Sequence, residues 1–238
     1  MPPPTITILD SLDTIDESLR RTTLTPGRPV LVLVGGAAGL PVDPDSPLAR
    51  LLVEHVVPLV EQLGAVVVDG GTDAGVMRMV GDARRSADAT FRLVGVVAEG
   101  TVRLPGAPPP RSPDWAHVEP GHTDIVLVPG SEWGDESPWL AAVATAIAGR
   151  AGSVTMLVNG GAIAYVDALN SLAVGRAAVV LAGSGRTADE IADARTIGTN
   201  DRALAIADSP LTTVVSIADP VAVAAALRAR IAESAELE

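Results

Sequence analysis

The feature that most constrains this chain is a strand, small-residue turn and helix pattern that occurs five times. In its fullest form the apolar run 65–68 meets Gly70 and Gly71, and a helix-like pattern follows at once. The other four apolar runs lead into turns at Gly35, Pro129, Asn159 and Gly183. Strands that alternate with helices indicate a parallel sheet, and nearly continuous apolar strands indicate burial on both faces. We predict an α/β, Rossmann-like three-layer fold with a mainly parallel central sheet.

These turns share one edge of the predicted sheet, because each follows the carboxyl end of a strand. In open α/β sheets ligands bind at that edge. Glycine lets the backbone approach a ligand closely, and the unpaired N–H groups of a helix start favour an anion. Any single glycine turn could serve packing alone, but their recurrence favours one ligand site built from several loops.

The 238 residues are interpreted as one domain, 1–238, because no linker divides them. Within it, 1–27 is predicted to form an edge strand and helix, and 196–238 a C-terminal strand and helix. The proline-rich stretch 99–120 lacks clear periodicity. It is either a lid over the sheet edge or a disordered excursion, since long loops inside compact domains are often functional.

Composition excludes several classes of function. A net charge of −12 opposes nucleic-acid binding, which requires a basic surface. The absence of cysteine excludes disulfides, thiol nucleophiles and zinc-thiolate sites. No apolar run approaches the roughly 18 residues of a membrane span, and the start MPPPTITILD lacks a leader pattern. We therefore expect a cytoplasmic protein with neither nucleic acid nor membrane as partner.

Helix signals make further predictions. Ser46 and Pro47 are expected to start a helix that ends at Gly64 and is kinked by Pro58. His55 on its apolar face is interpreted as structural. Capping interactions are predicted at three other helix starts, by Thr72 and by the pairs Thr14 with Glu17 and Thr187 with Glu190.

The turn 131–137 is unusually polar for an alanine-rich chain. Its carboxylates, including Glu132 and Glu136, could accept hydrogen bonds from ribose or amine groups, while Trp133 offers a ring face to a base. A solvated acidic loop is the alternative. Arg186, at another helix start, could bind a phosphate with two hydrogen bonds or form a surface salt bridge.

The candidate ligand-binding residues come from the glycine loops and the polar turns. They are Gly35, Gly36, Ala37, Gly70, Gly71, Thr72, Asp73, Gly75, His122, Glu132, Trp133, Gly134, Glu136, Asn159, Gly160, Gly161, Ser184 and Arg186. His122, Trp133 and Glu136 are expected to hold base or ribose. If the protein is an enzyme, Asp167 and Glu136 are the candidate catalytic residues. No protein-held metal is predicted; a divalent cation accompanying a phosphate ligand is compatible with the carboxylates.

Several motifs resemble those of the SLOG superfamily, which includes the LOG phosphoribohydrolases, the Smf/DprA proteins and the N-terminal domains of TRPM channels. GGTDAGVM at 70–77 resembles the LOG motif GGGxxGxM, and NGGAIAYVD at 159–167 resembles PGGxGTxxE. With GGAAGL, GHTDIVLVPGSEWGDES and GSGR, the chain looks most like the prokaryotic TRPM-related branch called LSDAT. The resemblance covers about residues 28–195.

The resemblance implies a site for a nucleotide-derived ligand such as ADP-ribose or its cyclic forms, in a binding or sensor protein. LOG enzymes cleave an N-glycosidic bond with a glutamate and an arginine. Here Asp167 stands at the glutamate position, and no arginine or lysine lies between Ser131 and Ala148. The alternative is a hydrolase that cleaves an N-glycosidic or phosphate bond. A DNA-associated role fits the charge least. The apolar helix at 138–148 could bury a dimer interface as readily as a core face, so a homo-oligomer stays open.

Overall fold

A computed structural model of the chain describes residues 3–37, 40, 43–198 and 200–236. Its strands are β1 (Thr5–Ile8), β2 (Val30–Gly35), β3 (Val66–Asp69), β4 (Leu93–Ala98), β5 (Val102–Arg103), β6 (Ala116–His117), β7 (Asp124–Val128), β8 (Ser153–Val158), β9 (Ala177–Ala182) and β10 (Thr212–Ser216). Its α-helices are α1 (Ile15–Arg20), α2 (Pro47–Leu51), α3 (Val57–Leu63), α4 (Gly75–Ser86), α5 (Ser137–Ala148), α6 (Ala162–Ala173), α7 (Arg186–Ile197), α8 (Asp201–Asp208) and α9 (Pro220–Glu236).

The central sheet has eight strands in the order β1-β7-β4-β3-β2-β8-β9-β10, and every pairing is parallel. From β2 the chain builds outward through β3, β4 and β7, then returns so that β8 pairs with the opposite side of β2. The connections therefore reverse direction between β2 and β8. In open α/β sheets this reversal opens a crevice at the carboxyl ends of the two strands.

Two apolar layers enclose the sheet, because alternate residues of each strand point to opposite faces. Val30, Val32 and Val34 face a layer formed with α1, α5, α6, α7 and α8. Leu31 and Leu33 face the other layer, formed with α2, α3, α4 and α9. The predicted three-layer α/β fold with a parallel sheet is confirmed. Most side chains in both layers are aliphatic, as the low aromatic content requires.

The predicted start and end of the helical region that begins at Pro47 are confirmed. Ser46 Oγ accepts a hydrogen bond from the Ala49 N–H at 3.1 Å, and Gly64 ends the helix in the left-handed region at φ 58°. A π-helical turn, Leu52–Val56, stands between α2 and α3, just before Pro58. Proline has no N–H to donate, and the helix widens to this π-helical turn just before it. His55 is half-buried within it.

The three predicted side-chain caps were wrong. Helix α4 starts at Gly75 with Ala74 at its N-cap position, and Thr72 makes no capping bond. Thr14 makes no capping bond either; Ser11 caps the preceding turn instead. Thr187 donates to the Gly161 carbonyl at 3.1 Å, and Glu190 accepts from the Tyr165 hydroxyl. These two side chains join α7 to its neighbours rather than closing its first turn.

The stretch 99–120 folds back on the sheet edge. Strand β5 pairs with β6, and Thr72 forms an isolated bridge with Val118. The Asp73 N–H donates to the His117 carbonyl at 2.8 Å. The loop is thereby tied to the turn that follows β3. Helix α8, capped by Asn200, was not predicted from the sequence. Across the described ranges, no helix is long and apolar enough to cross a membrane.

Candidate functional site

A cavity of about 530 Å³ opens at the carboxyl ends of β2 and β8, where the strand order reverses. This volume suits a ligand of nucleotide size. Its lining residues are Leu33, Val34, Gly35, Gly36, Ala37, Gly70, Thr72, Ala74, Met77, Asp114, Trp133, Glu136, Leu140, Gly161, Ala162, Ile163, Ala164, Asp167 and Arg186. They come from the end of β2, from the loops after β2, β3, β7 and β8, from helices α4, α5, α6 and α7, and from the 99–120 loop.

One wall is formed where the loop after β2 meets the start of α4. The Val76 N–H donates to the Gly36 carbonyl at 3.1 Å. Gly75 has a φ of 49°, and a β-carbon there would collide with that same carbonyl oxygen. Only glycine combines this conformation with so close an approach. Gly75 therefore shapes the cavity without lining it. The turn continues past Ala37 into residues 38 and 39, outside the described ranges.

The turn after β3 rests on a buried cluster of charged groups. Asp69 Oδ1 accepts hydrogen bonds from the Gly71 N–H and from His122 Nε2, both at 2.7 Å. His122 Nδ1 lies 2.9 Å from Glu119 Oε2, and Glu119 also pairs with Arg85 at 2.5 Å. The Glu119 N–H donates to the Gly71 carbonyl at 3.0 Å. The Gly71 backbone is thereby held on both sides, and its N–H is not free for a ligand.

Histidine 122 in this cluster is a buried cation. Burial alone would lower the pKa of His122, but the charges of Asp69 and Glu119 and their hydrogen bonds raise it to about 10. Burial would likewise raise the pKa of Glu119, but His122 and Arg85 hold it below its usual value. The side chain of His122 is only 1% exposed and is absent from the cavity lining, so it cannot hold base or ribose as expected.

The loop after β8 is held in place by the loop after β9. Asn159, at φ 55°, donates its backbone N–H to Ser184 Oγ and its Nδ2 to the Ser184 carbonyl, both at 2.8 Å. Gly160 packs against Ala164 and Thr187. Of this loop, Gly161 lines the cavity and the Arg186 guanidinium lies beside it. Asn159, Gly160 and Ser184 therefore set the loop's shape rather than its lining.

The acidic turn before α5 is divided in its roles. Trp133 and Glu136 line the cavity, whereas Asp135 closes the turn by accepting the N–H groups of Ser131 and Glu132 at 2.9 and 3.0 Å. Glu136 accepts the Gly134 N–H at 3.0 Å. Burial raises the pKa of Glu136 and the Asp135 charge adds to the rise, although the backbone hydrogen bonds oppose it. Glu132 is exposed and not among the lining residues.

Asp167 lines the cavity from α6, facing the start of α5. Burial raises the pKa of Asp167 to about 7; the Ser137 hydroxyl opposes this rise and the Glu136 charge adds to it. Asp167 Oδ1 and Ser137 Oγ are both buried without a hydrogen-bond partner. The hydroxyl is therefore near enough to influence the carboxyl, but the two atoms lack the geometry of a hydrogen bond.

The structure brings ten predicted residues to the cavity wall: Gly35, Gly36, Ala37, Gly70, Thr72, Trp133, Glu136, Gly161, Asp167 and Arg186. The other predicted residues support the loops or lie beside them; Asp73, for example, pairs with Arg78 at 3.1 Å. The sequence did not indicate the apolar lining or Asp114. It did contain one usable signal for the buried cluster, since Asp69 directly precedes the glycine pair. No group of three or more His, Asp or Glu side chains among the described residues could hold a metal ion.

Comparisons with known proteins identify the family of this chain and structures with a similar fold. The sequence model of LSDAT_prok, described as "SLOG in TRPM, prokaryote", matches residues 28–225. A comparison with curated protein sequences finds no match. The molybdenum cofactor carrier protein MCP from Chlamydomonas reinhardtii is similar in structure, with a TM-score of 0.54 and 15% identity over 85% of this chain and 99% of that one.

A second solved structure, the structural-genomics target TM1055, covers 82% of this chain and 96% of its own, with 19% identity and a TM-score of 0.48. At such identities structural likeness concerns the fold alone. The family match extends from just before β2 into α9 and includes every loop that lines the cavity. The chain therefore belongs to the SLOG in TRPM, prokaryote, family.

Proposed function

We propose that the protein binds a nucleotide-derived ligand, ADP-ribose or one of its cyclic forms, in the 530 Å³ cavity. The observation that carries this proposal is the position of the cavity at the strand reversal, walled by glycine loops and by the starts of α6 and α7. The first N–H groups of a helix have no partners within it and lie at the positive end of its dipole. The phosphates belong against these helix starts, near Gly161 and Arg186.

Other lining residues suit the uncharged parts of the ligand. Asp114, Glu136 and Asp167 supply acidic groups, and Trp133 supplies an aromatic face. Carboxyl groups bind ribose hydroxyls, and an indole stacks against a base. An anionic phosphate placed beside these three groups would be repelled. The charge distribution thus orients the ligand, with phosphates toward Arg186 and sugar or base toward the acidic groups.

Thermal unfolding with added ligand tests this proposal. ADP-ribose, cyclic ADP-ribose, NAD and AMP are titrated separately, and a bound ligand raises the midpoint with the logarithm of its concentration. Arg186→Gln should weaken binding by about 10- to 150-fold, because one charge-assisted phosphate contact is worth about 1.5–3 kcal/mol. Arg195→Gln is the matched control, since Arg195 lies on the same helix and pairs with Asp208 at the surface. No stabilisation by any of the four compounds would refute the proposal.

Hydrolysis of such a ligand is the second candidate function, favoured by the two neighbouring carboxyl groups. Burial raises the pKa of Asp167 to about 7, which is in the range of acid–base catalysis, and burial also raises the pKa of Glu136 above its usual value. Incubation with the same four compounds, followed by chromatography, would reveal free base or ribose phosphate. Both Asp167→Ala and Glu136→Ala should then slow product formation by 100-fold or more. Unchanged rates in both variants would remove these residues from the mechanism.

Two further expectations from the sequence, a divalent cation and a homo-oligomer, remain proposals. A divalent cation, if one takes part, would arrive with the ligand phosphates, because no described protein cluster is arranged to hold it. A homo-oligomer remains a prediction from the apolar helices.

A further inference from the structure

The inner end of the 99–120 loop is hydrogen-bonded to the turn after β3, so the two segments form one wall of the cavity. The Asp73 N–H donates to the His117 carbonyl at 2.8 Å, and the Glu119 N–H donates to the Gly71 carbonyl at 3.0 Å. Because these bonds join successive parts of both segments, neither segment can shift without breaking them. The lining residues that this wall contributes are Gly70, Thr72, Ala74 and Asp114.

The buried cluster supports this wall from within the protein and reaches the surface at Arg85. Its members Asp69, His122, Glu119 and Arg85 contact one another in that order, at 2.7, 2.9 and 2.5 Å. The first three side chains are fully buried, whereas the Arg85 side chain is 32% exposed and does not line the cavity. Glu119 connects the cluster to the wall, because its N–H holds the turn while its carboxylate binds both cations. Any change that displaces Glu119 therefore reaches the cavity.

Two glycines leave the space that the outer part of the cluster occupies. A β-carbon at Gly81, in the interior of α4, would lie 2.2 Å from the Glu119 carboxylate. A β-carbon at Gly121 would lie 2.4 Å from Arg85 Nη1. Glycine is unfavourable inside a helix, yet at position 81 only glycine leaves room for the carboxylate. The packing around Glu119 and Arg85 is therefore built to hold this ion pair.

We propose that Arg85 and Glu119 are positioning residues for the cavity: they hold the 99–120 loop against the turn after β3 and thereby set the affinity for the ligand. This inference rests on the proposed function and extends it to residues that do not touch the ligand. The cluster contains two carboxylates and two cations, so Arg85 balances the second carboxylate once His122 balances Asp69. A buried carboxylate without its own cation is strongly unfavourable. Without Arg85, the Glu119 side chain would turn toward water and its N–H would leave Gly71.

ADP-ribose binding to the full chain, measured by calorimetry, tests this role. A cavity wall that is formed in only a fraction of the molecules lowers the apparent affinity by that fraction. Arg85→Gln should therefore weaken binding by about three- to tenfold, as if the wall were formed in about a tenth to a third of the molecules. Arg85→Lys keeps a cation beside Glu119 and should recover most of the affinity.

Glu119→Gln distinguishes positioning from a general effect of charge. Arg85→Gln removes a positive charge, which would weaken the binding of an anionic ligand even from a distance. Glu119→Gln removes a negative charge, so long-range electrostatics predicts tighter binding, whereas lost positioning predicts weaker binding. Asp82→Asn is the matched control, because it makes the same charge change at the half-exposed second partner of Arg85 and leaves the Arg85–Glu119 contact in place. Its affinity should differ from wild type by less than about twofold, since exposed charges are screened.

Limited proteolysis with trypsin, without ligand, reports the position of the loop. Arg111 lies in an exposed part of the loop, so cleavage after it measures how often the loop leaves the turn. Arg85→Gln and Glu119→Gln should each raise this cleavage rate by about three- to tenfold, and Asp82→Asn should not. A general loss of stability would instead raise cleavage throughout the chain, including after Arg195 on α7. Thermal unfolding of each variant verifies folding.

The outcomes separate this proposal from the proposed function. If wild-type protein binds ADP-ribose and Arg85→Gln binds it equally well, the positioning proposal is refuted while the proposed function stands. Tighter binding by Glu119→Gln, or faster cleavage at Arg111 and Arg195 alike, has the same consequence. If wild-type protein does not bind ADP-ribose, the proposed function fails for this ligand, and the positioning proposal fails with it.

Discussion

Replacing His122 should be the most destabilising single change in the cluster below the β3 turn. His122→Gln keeps a polar side chain but removes the positive charge between Asp69 and Glu119. Glu119 retains Arg85 as a partner, whereas Asp69 retains only the neutral Gly71 N–H. One carboxylate, fully buried, is therefore left without a compensating charge.

Two independent arguments give the expected loss of folding free energy in His122→Gln. Removing one partner of a buried ion pair typically costs about 3–5 kcal/mol. A pKa raised from 6.5 to about 10 corresponds to about 5 kcal/mol of differential interaction, at 1.36 kcal/mol for each pH unit. Because Glu119 keeps its arginine, we expect a loss near the lower end, about 3 kcal/mol.

Urea unfolding at pH 7 measures this loss directly. His55→Gln is the matched control, since His55 is half-buried in the π turn and should change stability by less than about 0.5 kcal/mol. Adding Asp69→Asn to His122→Gln should restore part of the stability, because it removes the uncompensated charge. Equal urea midpoints for His122→Gln and wild type would refute the view that this cluster is ionised.

The pH dependence has a definite sign. The folded pKa of His122 is raised, so its stabilisation is fully present below pH 6.5 and is lost as pH rises through about 10. Wild-type stability should therefore decline across pH 7 to 10, and His122→Gln should lack this part of the decline.

Two other predictions concern the loops around the sheet edge. Gly75→Ala should lower the free energy of unfolding by about 2 kcal/mol or more, because φ of Gly75 is 49° and the new β-carbon meets the Gly36 carbonyl. Gly70→Ala is the control, because open space surrounds Gly70, and it should cost less than about 1 kcal/mol. Urea unfolding measures both losses. Similar losses in both variants would contradict this. Glu61→Ala should cost about 1 kcal/mol, because exposed Glu61 Oε1 accepts the N–H groups of Thr90 and Phe91, each at 2.6 Å. Burial would raise the pKa of Glu61, but these hydrogen bonds hold it below 4.5. The stabilisation by Glu61 is therefore present above pH 4.5 and is lost as the pH falls through the lower folded pKa. In acid unfolding, the stabilities of wild type and Glu61→Ala should converge in that lower pH range.

Local sequence was sufficient to predict the sheet and the edge at which the cavity opens. Strands such as β7 are continuous apolar runs that end in glycine or other turn residues, so both their extent and their parallel arrangement follow from nearby residues. The glycine pairs after β2, β3 and β8 then had to meet at one edge. Their sequence alone predicted that Gly36, Gly70 and Gly161 would line a common cavity, as they do.

Capping was less predictable because short polar side chains have several competing partners. Thr187 precedes Glu190 by three residues in a pattern typical of a capping box, yet it donates to the loop after β8. Which acceptor Thr187 bonds to depends on its distance from Gly161, and no local sequence pattern contains that distance. Likewise, His122 was interpreted as a ligand contact, but Asp69, 53 positions earlier, and Glu119 enclose it.

The sequence by itself determined which residues form the strands of the central sheet, where the backbone turns sharply and at which edge of the sheet the cavity opens. These are consequences of periodicity and of glycine's conformational freedom, which act over a few residues. Only the tertiary structure decided that His122 is a buried cation, that Asp114 reaches the cavity and that Asp167 titrates near pH 7 beside Ser137 and Glu136. Protonation and hydrogen-bonding state depend on solvent exclusion and on charges brought together from distant parts of the chain, so they exist only once the loops have assembled.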